Sequence, residues 1–156
     1  MIFGREGWLN TPDDERRNIP EIARTIRNHR QLGSRLFWLD DCDDDILMET
    51  YDNATCLLAA SEGEGFGLPL IEASRHGLPI VARDIPVFRE VAGEHAFYFN
   101  GLEPEDIATA ITEWLRLYRR GTHPQSDGIK WLTWEENVER LKSILLGGLD
   151  EFPIDD

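Results

Sequence analysis

The stretch from Thr55 to Gly77 constrains this chain more than any other. It opens on an apolar run, Thr55-Cys-Leu-Leu-Ala-Ala60, of the kind that forms a fully buried strand. It closes on Leu70-Ile-Glu-Ala-Ser-Arg-His76, which continues helically from Pro69 in the first turn until Gly77 stops it. Between the two, Gly63, Gly65 and Gly67 allow a sharp turn and a close approach of backbone to a ligand. A buried strand, a glycine-rich turn and a helix N-terminus together predict an anion site. Free amides and the positive end of the helix dipole point outward there.

The glycines alone do not define the ligand. A dinucleotide fingerprint G-x-G-x-x-G beginning at Gly63 needs glycine where Leu68 stands, and one beginning at Gly65 needs it where Leu70 stands. The carboxylate pair is more informative, with Glu64 in the loop and Glu72 in the second turn of the helix. A carboxylate accepts two hydrogen bonds side by side, which suits the vicinal hydroxyls of a sugar or a ribose. The helix amides between the two acids suit phosphate. A nucleotide-sugar has these parts in order: ribose, diphosphate, hexose.

Glu64-Gly-Phe-Gly-Leu-Pro-Leu-Ile-Glu72 resembles the E-x7-E signature of retaining GT-B glycosyltransferases, the group that includes mannosyl- and glucosyltransferases. The resemblance continues through Gly77-Leu-Pro-Ile-Val-Ala82, Asp84-Ile-Pro-Val-Phe-Arg-Glu-Val-Ala-Gly93 and Ala96-Phe-Tyr-Phe99, and covers the chain from Met1 to Leu146. It implies an α/β fold with a Rossmann-like, doubly wound parallel sheet, the C-terminal half of a GT-B architecture. It also implies roles. Glu64 would hold donor-sugar hydroxyls and act in catalysis as a positioning and electrostatic residue. Glu72 would bind the ribose diol. Amides from Gly65, Phe66, Gly67 and Leu68 would stabilise the diphosphate as negative charge develops on it. Arg5, in the loop after the first strand, would either approach phosphate or stand as an exposed loop arginine.

By the same resemblance, residues 1–146 are a donor-binding domain and residues 147–156 an acidic tail. The acceptor-binding domain and the basic pair that grips the diphosphate would precede Met1, so the chain alone is expected to be inactive. Trp8, Arg35-Leu-Phe-Trp-Leu39 and Ser61-Glu-Gly-Glu64 resemble mannosyltransferase-like members that build bacterial surface polysaccharides. GDP-mannose is therefore the expected donor, a UDP-hexose the second choice, and a saccharide or lipid-linked molecule the acceptor. No metal and no cofactor beyond the donor is expected. Two other classes stay open: a nucleotide-binding module without transferase activity, and a sugar epimerase of the same two-domain architecture.

Composition narrows the setting. Sixteen basic against thirty acidic residues give a net charge of −14, which argues against a nucleic-acid surface but not against a nucleotide. Cys42 and Cys56 lack disulfide-framework or metal-type spacing and read as reduced thiols of a cytosolic protein. No apolar run is long enough to span a bilayer, so the full-length enzyme is expected in the cytoplasm, with peripheral association at the inner face of the membrane compatible with that placement.

The remaining elements alternate. Ile19 to Arg30 reads as an amphipathic helix presenting Ile19, Ile22, Ala23 and Ile26, and Arg35 to Leu39 as a strand. In Asp40-Asp-Cys-Asp-Asp-Asp45 the segment Asp41-Cys-Asp43 imitates a metal-binding D-x-D, but acids before the helix Ile46–Tyr51 are better read as its cap and dipole partners. Pro79–Ala82 and Ala96–Phe99 are further strands, and Pro86–Ala92, Ile107–Tyr118 and Glu135–Leu146 are helices, the last capped by Thr133. His76 falls at a helix C-terminus, where an imidazolium favours the dipole, while His29, His95 and His123 are assigned to surface or loop roles. Short strands alternating with helices predict a parallel, doubly wound sheet.

Overall fold

The computed structural model describes residues 1–4, 10–16 and 18–147. Arg5, Trp8 and the acidic tail beyond residue 147 lie outside the described residues. The chain divides into two units, Met1–Thr50 and Tyr51–Asp156.

In the first unit, β1 (Ile2–Phe3) runs parallel to β2 (Trp38–Leu39), with Ile2 opposite Trp38 and Phe3 opposite Leu39. The Trp38 indole donates to the Gly4 carbonyl at 2.8 Å, and the Arg27 guanidinium lies 5.1 Å from the Trp38 ring centre. The intervening helix α1 (Ile19–Arg27) starts with Pro20 in its first turn and buries Ala23. Ile22, assigned above to its apolar face, is 55% exposed. At about 100° per residue, Ile19, Ala23 and Ile26 form one narrow stripe and Ile22 lies at its rim. Strand β2 is shorter than the expected Arg35–Leu39, because residues 31–36 close a turn in which Gly33 donates to Leu36.

Helix α2 (Asp44–Asn53) begins in the first unit, and its last residues belong to the second. The Asp43 carboxylate accepts from the Ile46 amide at 3.0 Å, and Asp44 and Asp45 occupy the first turn. The acidic run thus caps the helix and meets its dipole.

The second unit is a parallel sheet of β3 (Leu57–Ala59), β4 (Ile80–Arg83) and β5 (Phe97–Phe99), in that spatial order. Helix α3 (Leu68–Arg75) connects β3 to β4, and α4 (Pro86–Ala92) connects β4 to β5. Central β4 is buried along its whole length. Successive side chains of a strand face opposite sides. Val81 and Phe99 pack with Ala110 and Trp114 of α5 (Pro104–Arg120), whereas on the other face the Tyr98 hydroxyl donates to the Phe88 carbonyl of α4. Helices therefore cover both faces, as the alternating pattern predicted. Fully burying Trp114, Phe88, Leu70 and Ile80 contributes on the order of 1.5–3 kcal/mol for each large side chain.

One detail differs from the sequence reading, and another refines it. Strand β3 was expected to be fully buried, yet Leu58 is 41% exposed and only Ala59 is buried. β3 pairs with β4 alone among the described strands, and an outer strand is covered less than a central one. His123 lies in a loop as assigned, between α5 and the turn at Ser126, and there packs its ring 5.0 Å from that of Tyr118 and 6.0 Å from that of Trp114. The last helix, α6 (Trp134–Gly147), starts with the expected Thr133 cap in reciprocal form: Thr133 accepts from the Glu136 amide at 3.1 Å, and the Glu136 carboxylate accepts from the Thr133 amide at 2.7 Å. Cys42 and Cys56 are both free thiols.

Candidate functional site

Because β3, β4 and β5 are parallel, their carboxyl ends share one edge of the sheet, the edge at which open α/β sheets bind ligands. The loop from β3 to α3, the Asp84-Ile85 link and the turn from Asn100 to Glu103 all emerge there. Arg83, at the end of β4, is only 8% exposed. Its Nε donates to the Ala60 carbonyl at 3.1 Å, its Nη1 donates to the Gly101 carbonyl, and its guanidinium lies 5.1 Å from the Phe99 ring centre. It ties the entrance of the glycine-rich loop to the neighbouring turn. A charged residue this buried is sustained only by such hydrogen bonds, and sequence reading assigned it no role. One step further out, Arg89 grips both oxygens of Asp84 at 2.7 Å and stacks 3.7 Å from the Tyr98 ring centre.

The loop reaches α3 through Gly67, which is buried in a left-handed conformation (φ 65°). A Cβ there would sit 3.4 Å from both Phe88 and Val91, an ordinary packing contact, so it is the left-handed backbone that favours glycine. Gly63 and Gly65 are different. Neither has a positive φ, and a Cβ on either would meet nothing within 4 Å. The sharp turn expected of three glycines is made by one. No side chain caps the N-terminus of α3, and Pro69 stands in its first turn as expected. Leu68 is 57% exposed and Phe66 is 78% exposed beside this uncapped end.

Of the two acids, Glu64 is exposed in the loop, whereas Glu72 is half-buried in the second turn of α3 and engaged. The Tyr51 hydroxyl, from the last turn of α2, donates to Glu72 Oε2 at 2.9 Å. Burial, together with the hydrogen bond to Glu72, pushes the Tyr51 phenol well above its ordinary value, so it remains a donor. The Tyr51 ring stacks on His76, with centroids 5.4 Å apart and planes at 22°. His76 occupies the C-cap of α3, as its predicted dipole role requires, and its Nδ1 lies 2.6 Å from Asp52 Oδ1. Asp52, His76, Tyr51 and Glu72 thus form one connected set. Sequence reading found Glu72 and the position of His76 but missed Tyr51 and Asp52. The only available signal was a tyrosine within the helix that precedes the strand. Among the described residues, no group of three His, Cys, Asp or Glu side chains is arranged to hold a metal, and no helix is long and apolar enough to cross a membrane.

Fold and site define the class: an α/β domain with parallel strands, carrying a glycine-rich strand-to-helix loop and two acids at the carboxyl edge of its sheet. The chain belongs to the family of glycosyl transferases group 1, whose profile matches residues 21–131. It is 48% identical over 141 residues to a serotype-specific mannosyltransferase, WbdA, of Escherichia coli, a match that covers 90% of this chain and 16% of that protein. It is 37% identical over 81 residues to an O-antigen chain mannosyltransferase, RfbU, of Salmonella typhimurium, covering 52% of this chain and 23% of that one. The chain therefore spans about a sixth to a quarter of the length of these relatives. Among solved structures it resembles sucrose-phosphate synthase from Thermosynechococcus elongatus, with a TM-score of 0.55 and 22% identity, covering 78% of this chain and 30% of that one. That likeness is one of fold, and it agrees with the expected GT-B-type α/β architecture.

Proposed function

We propose that this domain binds the nucleotide-sugar donor of a retaining hexosyltransferase, with GDP-mannose as the donor. Glu72 takes the ribose diol, amides from Gly65 to Leu68 take the diphosphate, and Glu64 takes hydroxyls of the hexose. The observation that carries this reading is the uncapped N-terminus of α3 with an anchored carboxylate one turn further along the helix. The uncapped amides suit an anion, and the carboxylate suits a diol beside it. Mannose is favoured by two relatives named as mannosyltransferases, and the O-antigen in one of those names favours a saccharide or lipid-linked acceptor in surface polysaccharide synthesis.

In the proposed reaction, the bond between the anomeric carbon and the diphosphate oxygen breaks, and its electron pair leaves with the diphosphate. An acceptor hydroxyl bonds to the same face of the anomeric carbon, and its proton passes to the departing phosphate oxygen. Helix amides stabilise the charge that builds on the leaving group. Glu64 acts by position and charge.

Calorimetric titration with GDP and GDP-mannose tests the assignment. Glu72→Ala should weaken both ligands, each lost charge-assisted hydrogen bond being worth about 1.5–3 kcal/mol before water compensates. Glu64→Ala should weaken GDP-mannose and leave GDP nearly unchanged. Both affinities should persist in EDTA. Equal losses for the two ligands in Glu64→Ala would remove its hexose role, and binding of UDP in preference to GDP would overturn the choice of base.

A further inference from the structure

We propose that Tyr51 is a positioning residue for donor binding, holding the Glu72 carboxylate in the orientation that accepts the ribose diol; this rests on the ribose role of Glu72 given above. A glutamate on a helix surface has several rotamers, and a ligand that needs one of them must order the side chain as it binds. Here one oxygen is already held by the Tyr51 hydroxyl at 2.9 Å. The bond occupies one of about four lone-pair positions of the carboxylate, so both oxygens keep capacity to accept from neighbouring hydroxyls.

Tyr51 is itself fixed. It is 8% exposed, and its ring lies against His76, which Asp52 holds through Nδ1. His76 in turn is the C-cap of α3, its backbone amide donating to the Ala73 carbonyl at 3.1 Å. Tyr51 thus grips the same helix at two points, the ring against the C-cap and the hydroxyl on the second turn. The carboxylate is oriented relative to the helix that presents the first-turn amides. A ligand anchored by phosphate at the helix N-terminus and by a diol at Glu72 meets two contacts whose spacing is preset.

Tyr51→Phe keeps the ring and its stack and removes only the donor. The experiment titrates wild type, Tyr51→Phe, Glu72→Ala and the double variant with GDP and with its 2′,3′-dideoxy counterpart, and records melting of each. The expected result is a loss for GDP of about three- to tenfold in Tyr51→Phe, the range spanned by one hydrogen bond. Dideoxy-GDP affinity should be nearly unchanged, melting should fall only by the modest amount one lost hydrogen bond implies, and Tyr51→Phe should add nothing to the GDP loss in the Glu72→Ala background. Equal losses for both nucleotides would make Tyr51 merely structural, and an unchanged GDP affinity would remove the positioning role; either result leaves the role of Glu72 standing. If Glu72→Ala itself fails to distinguish GDP from dideoxy-GDP, the ribose assignment falls and this proposal with it. If neither GDP nor UDP binds the wild-type chain, the nucleotide reading is overturned together with the proposal.

Discussion

Gly65 and Gly67 stand two residues apart in one loop and answer to different demands. Gly67 is buried and left-handed; a Cβ there would meet Phe88 and Val91 only at ordinary contact distance, but the backbone of the fold favours glycine. Gly65 has open space around that point and no positive φ, so the fold does not. Gly67→Ala should therefore destabilise the chain by about 1–2 kcal/mol through the left-handed backbone. Gly65→Ala should change stability by less than about 0.5 kcal/mol, as an unstrained surface substitution does. If the backbone at Gly65 approaches a diphosphate, the same substitution should still weaken GDP. Urea denaturation and GDP titration of both variants separate the two demands. A Gly65→Ala variant with unchanged stability and unchanged affinity would leave that glycine without a role in either.

At the scale of elements, the helices of this chain are bounded by short-range chemistry. Asp43 caps α2, Glu103 and Asp106 form a reciprocal box at α5, and Thr133 with Glu136 does the same at α6. α1, α3 and α4 begin instead with proline in the first turn and no side chain bonded to their first amides, and of these α3 is entered through a left-handed glycine. The capping role of Asp43 has a direct consequence. Asp43→Ala should cost about 1 kcal/mol of stability, the usual worth of an N-cap, and the loss measured in urea should be the same with and without EDTA. A loss that appears only when divalent cations are supplied would point to a metal role for the acidic run instead.

For the whole molecule, the pH range of stability follows from groups displaced in opposite directions. The Arg89 guanidinium, bonded to both oxygens of Asp84, holds that carboxyl below its ordinary value. The folded state then binds this proton less tightly than the unfolded chain, whose aspartates titrate near pH 3.9. The contribution is present above about pH 4 and is lost as pH falls through the lowered folded value. On the alkaline side, burial and the bond to Glu72 raise the Tyr51 phenol, and burial raises the Cys56 thiol. Those contributions are present below the unfolded values, about pH 10 for tyrosine and about pH 8.5 for cysteine, and are lost as pH rises through the raised folded ones. Melting temperatures across pH should show a flatter acid limb in Asp84→Asn and a flatter alkaline limb in Tyr51→Phe. An unchanged acid limb in Asp84→Asn would mean that solvent screens the pair fully.

The alternation of strand and helix was legible in the sequence because it rests on local signals. Proline in a first turn, glycine after a last one, short apolar runs and acids before a helix each act within a few residues. They placed β4, α3, α4 and α6 close to their observed bounds. The same stretch carried Glu64 and Glu72 and the resemblance to the family. Tertiary structure decided what touches what. It set β3 at an outer position, so that Leu58 is exposed; it buried Arg83 between two loops; and it brought the Tyr51 hydroxyl onto Glu72, 21 residues away in the chain. Those outcomes depend on which strands become neighbours and where each helix lands on the sheet. Such long-range choices come from packing the entire apolar set at once, and no local pattern encodes them.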